Sequence, residues 1–365
     1  MRYNDIRRKT RSVAVGQCRI GARAPIAIQS MTNTPTSDMT RTLEQVRALE
    51  RAGCDIVRLS VPTEEAAYTV WKIKESGIQM PIVADIHFDY RIALRCAELG
   101  FDKIRINPGN IGDEDRIKAV CDACRERHIP IRVGVNAGSL EKHILKKYGS
   151  PTPEALCESA LYHISLLEKF GFYDTVVSIK ASTVKDMIDA NRLLAEKCDY
   201  PLHLGVTEAG GGERGLLKST AGIGALLCDG IGDTIRVSLT DDPIHEITAA
   251  RKILQALGIE GQSGMDIVSC PTCARTEIDL IPLVKRFEAA VSAEGLDKVP
   301  VKVALMGCVV NGPGEAREAD VGIAGGKGEA VLFRHGEIVE KIPERDIVER
   351  LLREVRVLKE QKGYE

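Results

Sequence analysis

The chain has 365 residues, 44% of them hydrophobic and 28% charged, with a formal net charge of -2. That length allows two domains with large cores. The near-neutral balance excludes the global basic field expected of a protein that binds nucleic acid or an anionic membrane. No apolar run approaches the roughly 20 residues of a membrane-spanning helix, and Met1-Arg2-Tyr3-Asn4-Asp5 lacks an apolar signal core, so the expected location is cytoplasmic.

Residues 11–25 read as a short hairpin. Eight strand-like runs follow: Ile26–Asn33, Asp55–Val61, Pro81–Ile86, Lys103–Pro108, Ile131–Asn136, Val176–Ser182, His203–Glu208 and Thr234–Leu239. Helical patterns such as Thr42–Glu50 lie between them. Strands alternating with helices predict parallel βαβ units. Eight units in about 240 residues match a (β/α)8 barrel; an open doubly wound sheet is the alternative. Asp242 and Pro243 open the last barrel helix as N-cap and first helical residue. The polar run after Gly258 reads as the linker. The expected domains are residues 1–262 and residues 263–365.

A period of two along the strands places polar residues on one face. Arg58 and Ser60 oppose Val57 and Leu59; Arg105 and Asn107 oppose Ile104 and Ile106. Arg132 and Asn136, Ser178 and Lys180, and Arg236 and Ser238 repeat the pattern. The apolar faces must meet the helices, so the polar faces line the barrel, near the strand ends where barrel active sites sit. Five cations, Arg58, Arg105, Arg132, Lys180 and Arg236, would then converge. Only two carboxylates, Asp85 and Glu208, occupy matching positions. Uncompensated buried charge is costly, so the excess predicts a strongly anionic ligand. Arg binds phosphate bidentately and Lys as a point charge, and a diphosphate fits the charge better than a single carboxylate. Glu208 follows Thr207 and precedes three glycines. It could transfer a proton to substrate or orient an Arg, and both roles stay open. His87, after Asp85, reads first as a local hydrogen-bonding residue.

The second domain reads as a small α+β module. Met265–Ser269 leads into Cys270-Pro271-Thr272-Cys273, a helix follows from Ile278, and Val301–Met306 leads into Cys308. Three further strands and a helix from Glu344 end it, the helix carrying the stripe Ile347, Leu351, Val355 and Leu358. The chain has eleven cysteines; an odd count without regular spacing argues against a disulfide framework. Cys18, Cys54, Cys96, Cys157, Cys198 and Cys228 are expected as small buried hydrophobes, and Cys121 and Cys124 as ordinary helix cysteines. Cys270, Cys273 and Cys308 differ, because they sit in Gly/Pro-punctuated loops. Three soft thiolates suit an iron–sulfur cluster with one corner left for an oxygen ligand, for which Glu315 is the nearest candidate. A structural zinc site with one more ligand is the competing reading.

These residues resemble the 4-hydroxy-3-methylbut-2-enyl diphosphate synthase family. The likeness lies in Ser269–Cys273, Met306–Glu315, Gln29–Thr34, Val83–Phe88, Ile106–Asn110, Gly134–Leu140 and Thr207–Gly210, and extends along essentially the whole chain. The resemblance implies a TIM-like barrel followed by an iron–sulfur module similar to a sulfite/nitrite reductase domain. It implies a 4Fe-4S cluster on Cys270, Cys273 and Cys308 with Glu315 as fourth ligand. It implies reductive ring opening of 2-C-methyl-D-erythritol 2,4-cyclodiphosphate with electrons from flavodoxin or ferredoxin, in a homodimer whose subunits share the active site. The substrate would then meet the five cations with Asp85, Asn107, Asn136, Thr207 and Ser238, and Glu208 would donate a proton.

Overall fold

The computed structural model describes residues 3–181, 183–259, 264–309, 317–361 and 363. It divides into two compact units, residues 1–259 and 260–365. No helix among the described residues is long and apolar enough to cross a membrane.

The first unit opens with the hairpin β1 (Val13–Val15) and β2 (Cys18–Ile20). Eight parallel strands follow: β3 (Ala27–Met31), β4 (Ile56–Ser60), β5 (Ile82–Asp85), β6 (Lys103–Ile106), β7 (Ile131–Asn136), β8 (Thr175–Lys180), β9 (His203–Leu204) and β10 (Thr234–Ile235). They pair in the order β8-β7-β6-β5-β4-β3-β10-β9, and a parallel bridge between Val177 and Leu202 joins the two ends of this sheet. The ring is a (β/α)8 barrel, as the alternation of strands and helices predicts. The helix-facing residues, such as Val57, Leu59, Ile104, Ile106, Val133 and Ile179, form one continuous core with the surrounding helices. Each such side chain contributes roughly 1.5–3 kcal/mol on burial.

The last two strands are shorter than the runs predicted for them. At Gly205 the reason is local: a Cβ there would lie 2.6 Å from the Arg236 carbonyl oxygen, so the two chains approach too closely for an ordinary pleat. Thr63, Asp89, Thr183 and Asp242 each accept a backbone N–H and cap the helix that leaves the barrel's upper rim. At the opposite end the hairpin acts as a plug. Val13, Val15 and Ile20 bury themselves against Ala27, Ile56, Val83 and Val176.

The second unit is a five-stranded sheet in sequential order: β11 (Asp266–Ser269), β12 (Lys302–Met306), β13 (Val321–Gly326), β14 (Glu329–Arg334) and β15 (Glu337–Pro343). β11 to β13 are parallel, and β14 and β15 are antiparallel. Helices Leu280–Ala293 and Ile347–Gln361 cover one face, with Phe287, Ile347, Leu351, Val355 and Leu358 in the shared core. The predicted stripe is therefore the buried face of the last helix.

The cysteines divide differently from expectation. Cys54, Cys96 and Cys157 are buried, Cys18 and Cys198 are half-buried, and Cys228 is exposed. Cys228 is the last residue of helix Gly212–Cys228 and faces outward, beside the buried Leu226 and Leu227. Cys121 and Cys124 lie in the core of helix Glu114–Glu126, where burial pushes both thiols up to about 12.

Candidate active site

Side-chain alternation fills the barrel in layers. Above the apolar plug come Gln29, Lys103, Arg132, His203 and Thr234, all buried. Lys103 is 0% exposed, its Nζ has no hydrogen-bond partner among the described residues, and burial, then the charge of Arg132, brings its ammonium down to about 7. His203 Nδ1 lies 2.5 Å from Thr234 Oγ1. Burial, with Arg132, Lys180 and Lys103 nearby, holds its imidazole well below the usual value.

Over this floor a cavity of about 400 Å³ opens, lined by Arg58, Asp85, His87, Arg105, Arg132, Gly134, Asn136, Ser178, Lys180, Thr207, Arg236 and Ser238. The five cations read from the strand pattern thus meet in one place. Gly134 makes room for one of them, since a Cβ there would lie 2.8 Å from Arg105 Nε. Asp85 stands between Arg58 at 3.4 Å and Arg105 at 3.1 Å. Burial alone would raise its carboxyl; Arg58, Arg105 and Arg132 outweigh burial and hold it below the ordinary range. Burial, opposed by Asp85 and reinforced by Arg236 and Arg105, lowers Arg58 to about 10.

The second carboxylate at the cations is Glu246, which the sequence reading missed. It pairs with Arg236 at 3.1 Å from the first turn of helix Pro243–Ala256. In sequence it looks like an ordinary acid at a helix N-terminus; only its 3% exposure marks it out. Met31 was also missed. Its thioether lies 3.0 Å from Arg58 Nη2 and 3.7 Å from Arg236 Nη1.

Among the described residues, ion pairs to Asp85 and Glu246 engage Arg58, Arg105 and Arg236, so five cations lie against two paired carboxylates. The imbalance concentrates on Arg132 and Lys180. Arg132 is 1% exposed, and its Nε and Nη1 have no hydrogen-bond partner among the described residues. Burial, then Arg58 and Arg105, press it well below the ordinary value. Burial and the charges of Arg236, Arg58 and Arg132 do the same to Lys180. An arginine does not release its proton under such pressure, so the strain stands as an unmet demand for an anion.

Two expected substrate contacts stand apart from this lining. Asn107 is buried, accepts the Gly109 N–H at 3.1 Å and donates to Ser139 Oγ at 3.3 Å, so its amide holds the loop after β6. Glu208 is exposed beside the cavity-lining Thr207, with φ at +53°. An L-residue adopts that region at a cost of about 1 kcal/mol.

In the second unit the cysteine segments leave adjacent parallel strands, with Ser269 paired to Leu305. The Cys270 N–H donates to the Leu305 carbonyl at 3.3 Å, and the Glu277 N–H to the Gly307 carbonyl at 2.9 Å. A Cβ on Gly307 would lie 2.7 Å from Thr276 Cγ2, so only glycine lets the two segments pack this closely. The Gly307 N–H donates to Cys270 Sγ at 3.2 Å. The Arg275 backbone N–H and side chain hold the exposed Cys273 thiol below its ordinary value. An N–H on one sulfur and an acidified second thiol are the chemistry of a soft-metal thiolate site, and the donor set fits an iron–sulfur cluster. Among the described residues no three ligands gather around one point. Glu315 and the neighbouring Gly312, Pro313 and Gly314 lie outside the described residues.

Comparison with known proteins agrees with both halves. The family model described as the GcpE TIM-barrel domain matches residues 10–251, and that described as the GcpE protein C-terminal domain matches residues 266–357. The 4-hydroxy-3-methylbut-2-en-1-yl diphosphate synthase (flavodoxin) of Caldanaerobacter subterraneus subsp. tengcongensis is 57% identical over 350 residues, 96% of this chain and 97% of that protein. The Clostridium perfringens protein of the same name is 54% identical over 347 residues, 95% of this chain and 98% of its own length. A solved Plasmodium falciparum HPPK-DHPS structure aligns with a TM-score of 0.50 at 11% identity, over 77% of this chain and 52% of that one. At that identity the likeness bears on fold alone.

Proposed function

The chain belongs to the GcpE family of 4-hydroxy-3-methylbut-2-en-1-yl diphosphate synthases, and from that premise we propose that it opens the ring of 2-C-methyl-D-erythritol 2,4-cyclodiphosphate reductively. Two electrons and two protons enter, one water leaves, and the product is 4-hydroxy-3-methylbut-2-enyl diphosphate. The observation that carries this reading is the cavity in which five cations meet two paired carboxylates among the described residues, with Arg132 and Lys180 outside those ion pairs. A diphosphate supplies the missing negative charge, with Arg132 and Lys180 as its first partners and Asn136, Thr207 and Ser238 as hydrogen-bonding groups.

Cys270, Cys273 and Cys308 would hold a 4Fe-4S cluster, with Glu315 as the fourth ligand. Such a cluster supplies the single electrons that the reaction consumes, delivered by a flavodoxin. The barrel residues bind and orient the diphosphate. Glu208, exposed beside Thr207 with a positive φ, would deliver a proton to the reacting carbon skeleton. The working form is a homodimer in which the subunits share the active site.

Anaerobic purification followed by turnover with reduced flavodoxin tests the reading. The expected protein is brown and holds about four irons per chain. Glu208→Gln should abolish turnover and leave the visible spectrum unchanged. A colourless zinc protein, or one that leaves the cyclic diphosphate intact, overturns the assignment; full activity in the Gln variant removes the role given to Glu208.

A further inference from the structure

Five adjacent strands of the barrel each place one side chain in an unbroken, half-buried chain. Arg236, just after β10, lies 3.7 Å from the sulfur of Met31 on β3. That sulfur receives Nε and Nη2 of Arg58 on β4, at 3.2 and 3.0 Å. Arg58 faces Asp85 on β5, and Asp85 faces Arg105 on β6. The free end at Arg236 is tied down by Glu246, which comes from a helix rather than from the barrel wall. Its Oε2 accepts from Ser30 Oγ at 2.7 Å and from Arg236 Nε at 3.1 Å. Its Oε1 accepts from Arg236 Nη2 and from the Leu239 N–H, both at 3.2 Å.

We propose that Glu246 is a positioning residue that fixes the Arg236 guanidinium for the anionic substrate and anchors this chain, so that the cation cradle is formed before substrate arrives. The proposal rests on the cavity being the diphosphate site. Both carboxylate oxygens carry two donors, and Nε and Nη2 of Arg236 are committed to them, which leaves Nη1 turned toward Met31 and the cavity. The Met31 thioether is a weak, uncharged acceptor. It separates two like-charged guanidiniums without neutralising either.

A carboxylate beside a cation could act in two ways, and they predict opposite signs. If Glu246 merely offsets positive charge, Glu246→Gln makes the cavity more cationic and tightens anion binding, while Glu246→Asp changes little. If Glu246 positions Arg236, both variants weaken binding. Gln turns a donor toward Arg236 or Ser30, and Asp is one methylene too short to hold Ser30, Arg236 and Leu239 together. The expected rise is on the order of tenfold, the size of one charge-assisted hydrogen bond.

The experiment measures KM and kcat for the cyclic diphosphate in the cluster-loaded enzyme, and the Kd of inorganic pyrophosphate by calorimetry. Both variants should raise KM and Kd by about the same factor, with kcat and iron content near wild type. Arg236→Lys keeps the charge but loses the fork, so Glu246→Gln should add little more in that background. Tighter pyrophosphate binding in the Gln variant, an unaffected Asp variant, additive losses in the double variant, or a lowered Tm with unchanged KM and Kd each overturn the proposal. A wild-type protein that binds pyrophosphate without turning over the cyclic diphosphate sinks the proposed function alone, and the pyrophosphate series then decides the role of Glu246. One that binds neither overturns both.

Discussion

Replacing Arg132 with methionine removes a buried cation that makes no direct ion pair among the described residues and feels Asp85 only at a distance, and stability and affinity should move in opposite directions. Arg132 is 1% exposed, with Nε and Nη1 unpartnered among the described residues. An unsatisfied buried donor costs roughly 1–3 kcal/mol, and an uncompensated buried charge adds to that. Methionine fills much of the same volume with neither liability. The substrate-free variant should therefore be more stable by about 2–4 kcal/mol. For a unit of this size that corresponds to a Tm rise of very roughly 5–10 °C. If Nε and Nη1 meet the proposed diphosphate, the same substitution removes two charge-assisted hydrogen bonds, each worth about 1.5–3 kcal/mol. Affinity should then fall about a hundredfold or more. Calorimetric unfolding without ligand and titration with inorganic pyrophosphate at fixed pH and ionic strength measure both quantities. Arg132→Lys keeps the charge and should show little of the stability gain. A variant that unfolds at lower temperature while keeping wild-type pyrophosphate affinity would mean that Arg132 is a satisfied structural residue, and the reasoning from uncompensated charge fails.

Lys103, pressed down to about 7 by burial, makes stability depend on pH. Above about pH 7 the folded protein has released this proton, whereas the unfolded chain keeps it up to about 10.4. Stability therefore rises with pH across that window, and the penalty is fully present below it. Lys103→Met should stabilise most below pH 7, by up to about 4 kcal/mol, with the advantage fading toward pH 10; a difference in urea midpoint that does not vary with pH would remove this titration from the account. Cys308→Ser exchanges a soft thiolate for a hard oxygen. Iron per chain and visible absorbance should drop while the barrel keeps its pyrophosphate affinity, and wild-type iron content in that variant would exclude Cys308 as a ligand.

Much of the barrel was legible because its strands obey a strict period of two. Arg105 beside Ile104 and Ile106, or Arg132 beside Ile131 and Val133, can lie only with the cation inward once helices cover the outside. The pattern therefore announced both the architecture and the convergence of five cations. The cysteine segments were legible for a similar reason, since each follows a strand and β11 and β12 are neighbours. Asn107 shows the limit of that method. Period placed it with Arg105, and what period could not show is that its amide also holds Gly109 and Ser139, because a residue at a strand end is free to cap the next turn.

Residue types and spacing along the chain determined the (β/α)8 barrel, the second α+β unit, the thiol set and the sign of the cavity's charge, since each follows from local alternation and short-range motifs. Tertiary structure alone decided how that charge is shared. Glu246 reaches Arg236 across a loop from a helix, Met31 comes between two arginines from a strand far away in sequence, and Asp85 divides itself between Arg58 and Arg105. Such pairings depend on which strand closes beside which. That is a property of the ring, and no single segment carries it.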